Sequence, residues 1–292
     1  MQVSSTQLFV FVEGKSCDSY FYSQACAAAV GDVVDYKMVT ADTLPGNWGG
    51  KSSLIGFFEL LRTRNALVTT LGGPRTASLF FLDKDLDDIS RTRKRSRHVV
   101  YTRYYDVENY VYEYGDLARG AACAASVDPR TLRANIGDSA SWCRRMAANW
   151  KDWIALCMRM QASGIQCEAN FRRPSPLQSR PCGPVEPAEY SRVTRQIARR
   201  AGVPVSQLRQ DVAETRVKVD RYFTRNDHHK IFKGKWFAGI LADEVRRILQ
   251  GVSFCSGGLE SRITHCVALT LDFTQSWAEH FRTAILDVAA LI

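Results

Sequence analysis

The five apolar residues Leu8–Val12 run without a break into Glu13, and the run Ala77–Leu82 ends in the same way on Asp83. Segments this short, rich in Phe, Val and Leu and without alternation, have no solvent face. They read as strands buried on both sides, as in a parallel sheet clad in helices. Such a sheet needs helical crossovers, and the first hundred residues supply them. Residues 6–13 read as a strand, 19–30 as a helix, 35–40 as a strand, 51–68 as a helical pattern with Leu54, Phe57, Phe58 and Leu61 on one side, and 76–83 as a third strand. Residues 98–114 begin as a strand and turn helical at Asp106, a residue able to cap the following turn. The expected fold class is α/β, a parallel sheet with right-handed crossovers flanked by helices.

The acidic ends carry the functional expectation. In an open parallel sheet, ligands gather at the carboxyl ends of the strands. There Glu13 closes one strand and Asp83 another, with Asp85 and Asp87 following at spacings of two. Carboxylates so close repel, and a cation between them relieves the repulsion. Hard oxygen donors suit Mg²⁺ or Mn²⁺, and such an ion stabilises a phosphoryl transition state and helps ionise an attacking water. The alternative for either stretch alone is a helix cap at Glu13 and a solvated acidic turn over residues 83–88.

Net charge supports a polyanionic partner. The chain of 292 residues carries 39 Lys and Arg against 30 Asp and Glu, a formal +9. The densest basic run, residues 91–98 with Arg91, Arg93, Lys94, Arg95 and Arg97, directly follows the acidic loop, where an entering phosphate backbone would pass. Its alternative reading is a solvated loop that balances residues 83–88. No stretch reaches the roughly 20 apolar residues of a membrane span. The N-terminus lacks a basic segment and a small-residue cleavage site, so a cytoplasmic protein without a membrane partner is expected. The nine cysteines are scattered without a CxxC pair, which indicates neither a disulfide framework nor a zinc knuckle. Zinc held by Cys182 or Cys255 with a distant His is the remaining alternative there.

Five motifs together resemble a known family. Val12-Glu13-Gly14 with Asp18, Gly49-Gly50-Lys51-Ser52, Asp83-Lys84-Asp85-Leu86-Asp87, Asp106-Val107-Glu108-Asn109 and Lys233-Gly234-Lys235 occur in its order. The family is that of bacterial Toprim-like nucleases, related to OLD-type nucleases. It includes the effector of the PARIS anti-phage system. The resemblance covers about the first 115 residues and the segment around 228–250. It implies a catalytic set of Glu13, Asp83, Asp85 and Lys235, and a metal set of Glu13, Asp83, Asp85, Asp87 and Glu108. Lys235 would steady a phosphate or a leaving oxygen. It further implies a toxic, Mg²⁺- or Mn²⁺-dependent endonuclease acting on RNA (tRNA included) or DNA, an ABC-type ATPase partner and an active homodimer. Cys17 lengthens the spacing before Asp18 relative to the family pattern.

Other features are weighed separately. Residues 49–53 do not form a phosphate-binding loop of the Walker type, because Pro45 stands where a Gly is needed and no strand runs into it. They read as a helix start with Ser52 or Ser53 as the cap. Residues 196–210, with Ala198, Gly202 and Leu208, match helix-turn-helix spacing, which two ordinary helices joined at a Gly also mimic. Trp142, Met146, Trp150, Trp153 and Leu156 form a stripe at helical spacing, read as core or a dimer face. His228 and His229 are of ligand or proton-carrier type, but a His pair at a helix start is as often merely exposed, and they stay outside the expected site. The expected organisation is an α/β core over 1–115, a helical insertion over 116–225 for dimerisation or partner docking, and two C-terminal helices over 226–292 that complete the core. A catalytically idle nucleic-acid- or ATPase-binding module and a DNA-binding regulator are the competing functional readings.

Overall fold

The computed structural model describes residues 6–14, 17–44, 49–70, 73–90, 92–165, 183 and 185–292. They divide into two compact units, one made of the chain up to Arg103 with Asp272–Ile292, the other of Tyr104–Leu271.

The first unit is α/β. Strands β1 (Leu8–Val12), β2 (Tyr36–Thr40), β3 (Val68–Thr69), β4 (Thr76–Leu82) and β5 (Val99–Tyr101) form one sheet. β1 pairs in parallel with β2 and with β4. The two ends of β4 have different neighbours on its far edge: β3 runs antiparallel beside Thr76 and Ala77, and β5 runs parallel beside Phe80–Leu82. The short β3 starts at Val68, the last residue of the stretch that the sequence assigns to one long helix. That helix stops at Thr63, where Asn65 takes a left-handed φ of 52° and turns the chain.

Both faces of the sheet are covered, which explains the lack of alternation in its strands. α1 (Cys17–Val30) and the last helix of the chain (Glu279–Ala289, α13 below) pack on one face, where Phe81 stacks on Tyr22 at 4.1 Å and Phe281 meets Phe21 edge-on at 5.4 Å. On the other face α2 (Lys51–Thr63) sets Leu54 and Phe58 against Phe11 and Phe80. Neighbouring residues Phe80 and Phe81 thus point to opposite faces, and each face is dry. Each such Phe contributes roughly 1.5–3 kcal/mol by burial. A four-residue helix, α3 (Asp87–Ser90), follows the β4 loop.

The second unit is helical: α4 (Val107–Tyr114), α5 (Leu117–Ala125), α6 (Pro129–Ile136), α7 (Ser139–Ala148), α8 (Lys151–Ala162), α9 (Pro187–Ala201), α10 (Val205–Thr224), α11 (Trp236–Ile248) and α12 (Leu259–Ala268). Asp106, Asp116, Asp128 and Asp138 cap four of these by accepting a backbone N–H of the first turn. The tryptophan stripe is core: Trp142, Trp150 and Trp153 are at most 1% exposed. α5 and α12 touch backbone to backbone, since a Cβ on Gly120 would lie 2.6 Å from the Cα of Val267.

This division differs from the boundaries expected at 115 and 225. Residues 104–115 and 226–271 pack with the helices, and only Asp272–Ile292, with α13 (Glu279–Ala289), returns to the sheet. The tail expected as two helices is three, because the chain turns between Leu269 and Gln275. Most of the Pro-rich stretch 171–187, with Cys182, lies outside the described residues, as does Pro45. Residues 196–210 span the end of α9, a left-handed Gly202 and the start of α10, helices of 15 and 20 residues. α10 is tied to α8 by Arg159–Asp211 and Lys151–Asp220. No described helix is long and apolar enough to cross a membrane.

His280 on α13 gives the first unit an acid-sensitive element. Burial, and then the charge of Arg103, push its imidazole down from 6.5 to about 4, against a hydrogen bond to the Trp277 backbone. Between those two values the unfolded chain binds a proton that the folded chain refuses. Stability is therefore complete above pH 6.5 and falls as the pH drops toward 4, by roughly 2–3 kcal/mol at most. Thermal melts from pH 7 to 5 should show a shallower decline for His280→Gln than for wild type. Equal slopes would remove His280 as the cause.

Candidate acidic site at the strand ends

Register brings the two acidic ends together. Phe11 of β1 lies opposite Phe80 of β4, so both strands end at one edge. Glu13 there accepts the Asp83 N–H at 2.8 Å through Oε1. Gly14 follows, and its N–H donates to Asp18 Oδ2 at 2.8 Å, which closes the turn into α1. A Cβ at Gly14 would stand 2.9 Å from that same oxygen. Asp18, buried at the start of α1, thus serves the turn. Asp85 sits at a left-handed φ of 49°, which turns the loop after β4.

The cation demanded by these acids comes from the protein. Lys51, the first residue of α2, extends its ammonium into the loop. It reaches Asp85 Oδ2 at 2.8 Å and Asp87 Oδ2 at 2.7 Å, and it donates to the Asp83 carbonyl. Burial works to lower the Lys51 pKa, but Asp85, the bonds to Asp85 and Asp87, and Glu13 together hold it above the ordinary value. Glu13 is pushed up to about 7, chiefly by burial, with Asp85 and Asp18 acting in the same direction against Lys51 and the Asp83 N–H. A carboxyl near neutrality beside a buried lysine is an arrangement suited to holding or passing a proton.

Lys51 is not among the residues expected at this site. It follows the glycine pair in Gly49-Gly50-Lys51-Ser52, where the expected Ser cap is not formed. Gly50 occupies the cap position at a φ of 81°, without a side-chain bond, and Ser53 Oγ turns back to the Gly49 carbonyl. The glycine pair is what permits the abrupt turn that aims Lys51 at the loop. A groove of about 640 Å³ runs beside it, lined by Leu44, Ser52, Ser53, Gly56, Phe57 and Leu60, but this lining is apolar and includes none of the carboxylates.

The basic run is partly spent internally. Arg93 pairs with Asp88 at 2.7 Å and lies over the Tyr101 ring, and Lys94 pairs with Glu59 at 3.1 Å. Arg95 and Arg97 are exposed, while Arg91 lies outside the described residues.

Glu108 and Lys235 belong to the second unit, where they join a different construction. Asp106 caps α4 and accepts the N–H of Asn109 at 3.2 Å and of Gly234 at 3.0 Å, with Lys235 N–H at 3.4 Å from its other oxygen. Asn109 in turn donates to the Phe232 carbonyl at 2.9 Å. Gly234 has no room for a side chain, since a Cβ would lie 2.4 Å from the Asn109 nitrogen. The Asp-x-Glu-Asn and Gly-Lys motifs therefore clasp one another through the backbone. Glu108 is buried beside this clasp, and the Lys235 side chain is exposed.

Among the described residues, the group of three ligand-type side chains whose donor atoms lie mutually within 4.8 Å is Glu113, His228 and His229, and the strand-end acids do not form such a group. His228, for which an exposed position was one of the two readings, is 3% exposed. Cys255, raised as a zinc ligand, instead lies 3.2 Å from Arg262. No family model matches the chain, and no curated protein or solved structure is significantly similar to it.

Proposed function

We propose that the chain is a Toprim-like, Mg²⁺- or Mn²⁺-dependent nuclease that hydrolyses phosphodiester bonds in RNA or DNA. The observation that carries this reading is the meeting of Glu13 with Asp83 at the carboxyl ends of two adjacent parallel strands, beside Asp85, Asp87 and Lys51. Glu13, Asp85 and Asp87 are hard oxygen donors of the kind such an ion prefers; Asp85 and Asp87 already meet around the Lys51 ammonium, and an ion in its place would have to draw Glu13 in with them. A bound divalent ion would supply charge stabilisation at the phosphate and a more acidic water. The chain itself contributes Glu13, whose Oε atoms can hold a proton near neutral pH. It also contributes Lys51, whose ammonium can turn from the carboxylates to a phosphate oxygen. Arg95 and Arg97 offer exposed charge for the nucleic-acid backbone. From the resemblance come the anti-phage role, the ABC-type ATPase partner, the homodimer and a cytoplasmic location, all part of this proposal.

A second reading has its own support. Lys51 already neutralises Asp85 and Asp87, as it would in an idle scaffold that binds nucleic acid or an ATPase without cutting. Cleavage of a panel of tRNA, single-stranded DNA and duplex DNA by wild type and Glu13→Ala, with Mg²⁺, Mn²⁺ or EDTA, separates the two. The nuclease reading expects metal-dependent cleavage, reduced at least about 100-fold in the variant. Wild type that binds these nucleic acids but leaves them intact, alone and with its ATPase partner, would establish the scaffold.

A further inference from the structure

The second unit carries a ligand set of a different chemical character from the strand-end acids. Glu113 lies near the end of α4, and His228 and His229 form a single helical turn, His228–Lys230, between α10 and α11. One donor atom from each lies within 4.8 Å of the others. His228 is 3% exposed, yet neither of its ring nitrogens has a hydrogen-bond partner. A buried imidazole left in that state loses its hydration with nothing in return. An ion is one group that restores it.

We propose that Glu113, His228 and His229 bind one divalent transition-metal ion of the Zn²⁺ class, with water or an anionic oxygen in the fourth position. Two imidazoles and one carboxylate are the donors such ions prefer, whereas Mg²⁺ favours oxygen alone. Tetrahedral bonds of 2.0–2.1 Å set donors about 3.3 Å apart, so donors that already lie within 4.8 Å of one another need at most side-chain adjustments of about 1 Å to close. The backbone already fixes the loop. The His229 carbonyl accepts the Tyr105 N–H at 2.9 Å, and the His228 carbonyl accepts from Ile231 and Phe232. The His229 ring rests 3.7 Å from that of Tyr104, and its Nε2 lies 4.0 Å from an Asp227 oxygen, so a carboxylate stands beside the ring. The surrounding charge is balanced toward a cation: Arg144 acts against it at His228, while Asp227 and Asp138 favour it.

This site is independent of the strand-end acids, and so is its test. The full chain, stripped with EDTA and desalted, is titrated with Zn²⁺ against a chromophoric chelator in excess Mg²⁺, and separately loaded with Co²⁺. One Zn²⁺ per chain is expected, together with the d–d bands of four-coordinate cobalt and no sulfur-to-cobalt charge transfer. Glu113→Gln and His229→Gln should each weaken Zn²⁺ at least tenfold while their near-ultraviolet circular dichroism matches wild type. Glu13→Ala should leave the stoichiometry at one. Absence of saturable Zn²⁺ binding, binding unchanged in both glutamine variants, or a sulfur charge-transfer band in wild type would overturn the proposal. The cobalt spectrum of wild type decides even if a variant misfolds.

Discussion

Lys51→Met should destabilise the metal-free protein and make its stability depend on a divalent ion. In wild type the ammonium contacts Asp85 and Asp87 and favours the charged form of Glu13. Its removal leaves several carboxylates around a gap with no counter-charge. A fully buried pair broken in this way costs 3–5 kcal/mol, but Asp85 is about one-third exposed, so roughly 2–3 kcal/mol is expected. The melting midpoint in EDTA should fall by several degrees. Millimolar Mg²⁺ should restore most of that loss in the variant while raising wild type much less, because in wild type the ion competes with Lys51. Equal responses of the two proteins to Mg²⁺ would show that these carboxylates do not share a cation position, and the proposed metal site would lose its support.

Asp106→Ala should be the most damaging single change in the helical unit. One side chain caps α4 and accepts backbone N–H groups from Asn109 and Gly234, with Lys235 nearby. Loss of the cap costs about 1 kcal/mol, and each buried N–H left without an acceptor adds roughly 1–3 kcal/mol. A total of about 3–5 kcal/mol follows. Hydrogen exchange should then rise first at Asn109, Gly234 and Lys235 and in the turns that hold them. Asp106→Asn, which keeps one acceptor oxygen, should recover part of the loss. A variant with unchanged stability and exchange would mean that the clasp contributes nothing to the fold.

These two expectations concern the parts of the molecule that the sequence disclosed to different degrees. The strands at 8–12 and 76–82 were legible because the apolar runs Leu8–Val12 and Leu79–Leu82 have one stable use, burial on both faces. Glu13 and Asp83 were legible because a charge at the end of such a run must lie at the sheet edge. Asp106 as a cap was equally local, since the bond it forms is to Asn109, three residues on. Lys51 was not legible. Its partners are Asp85 and Asp87, more than thirty residues away, and a Lys at a helix start has no local signature that distinguishes it from any solvated one. Its reach depends on the positive φ of Gly50 and Asp85.

Distance in sequence set the same limit elsewhere. Sequence left His228 open between an exposed position and a ligand role, because it begins a short helical turn among polar residues; the packing of the unit encloses it. The Asp106–Gly234 bond spans 128 residues, and its need for Gly comes from the Asn109 backbone. The domain boundary at 103 rather than 115 was equally hidden, since an amphipathic α4 can bury its apolar face against a sheet or against other helices. By itself the sequence determined the α/β class of the first unit, the position of the acids and the Asp106 cap, because each follows from residues within one element. Tertiary structure alone decided which cation neutralises the acids, which imidazole is buried and which helix returns to the sheet. Those depend on the few side chains that long-range packing happens to bring within 3–5 Å of one another.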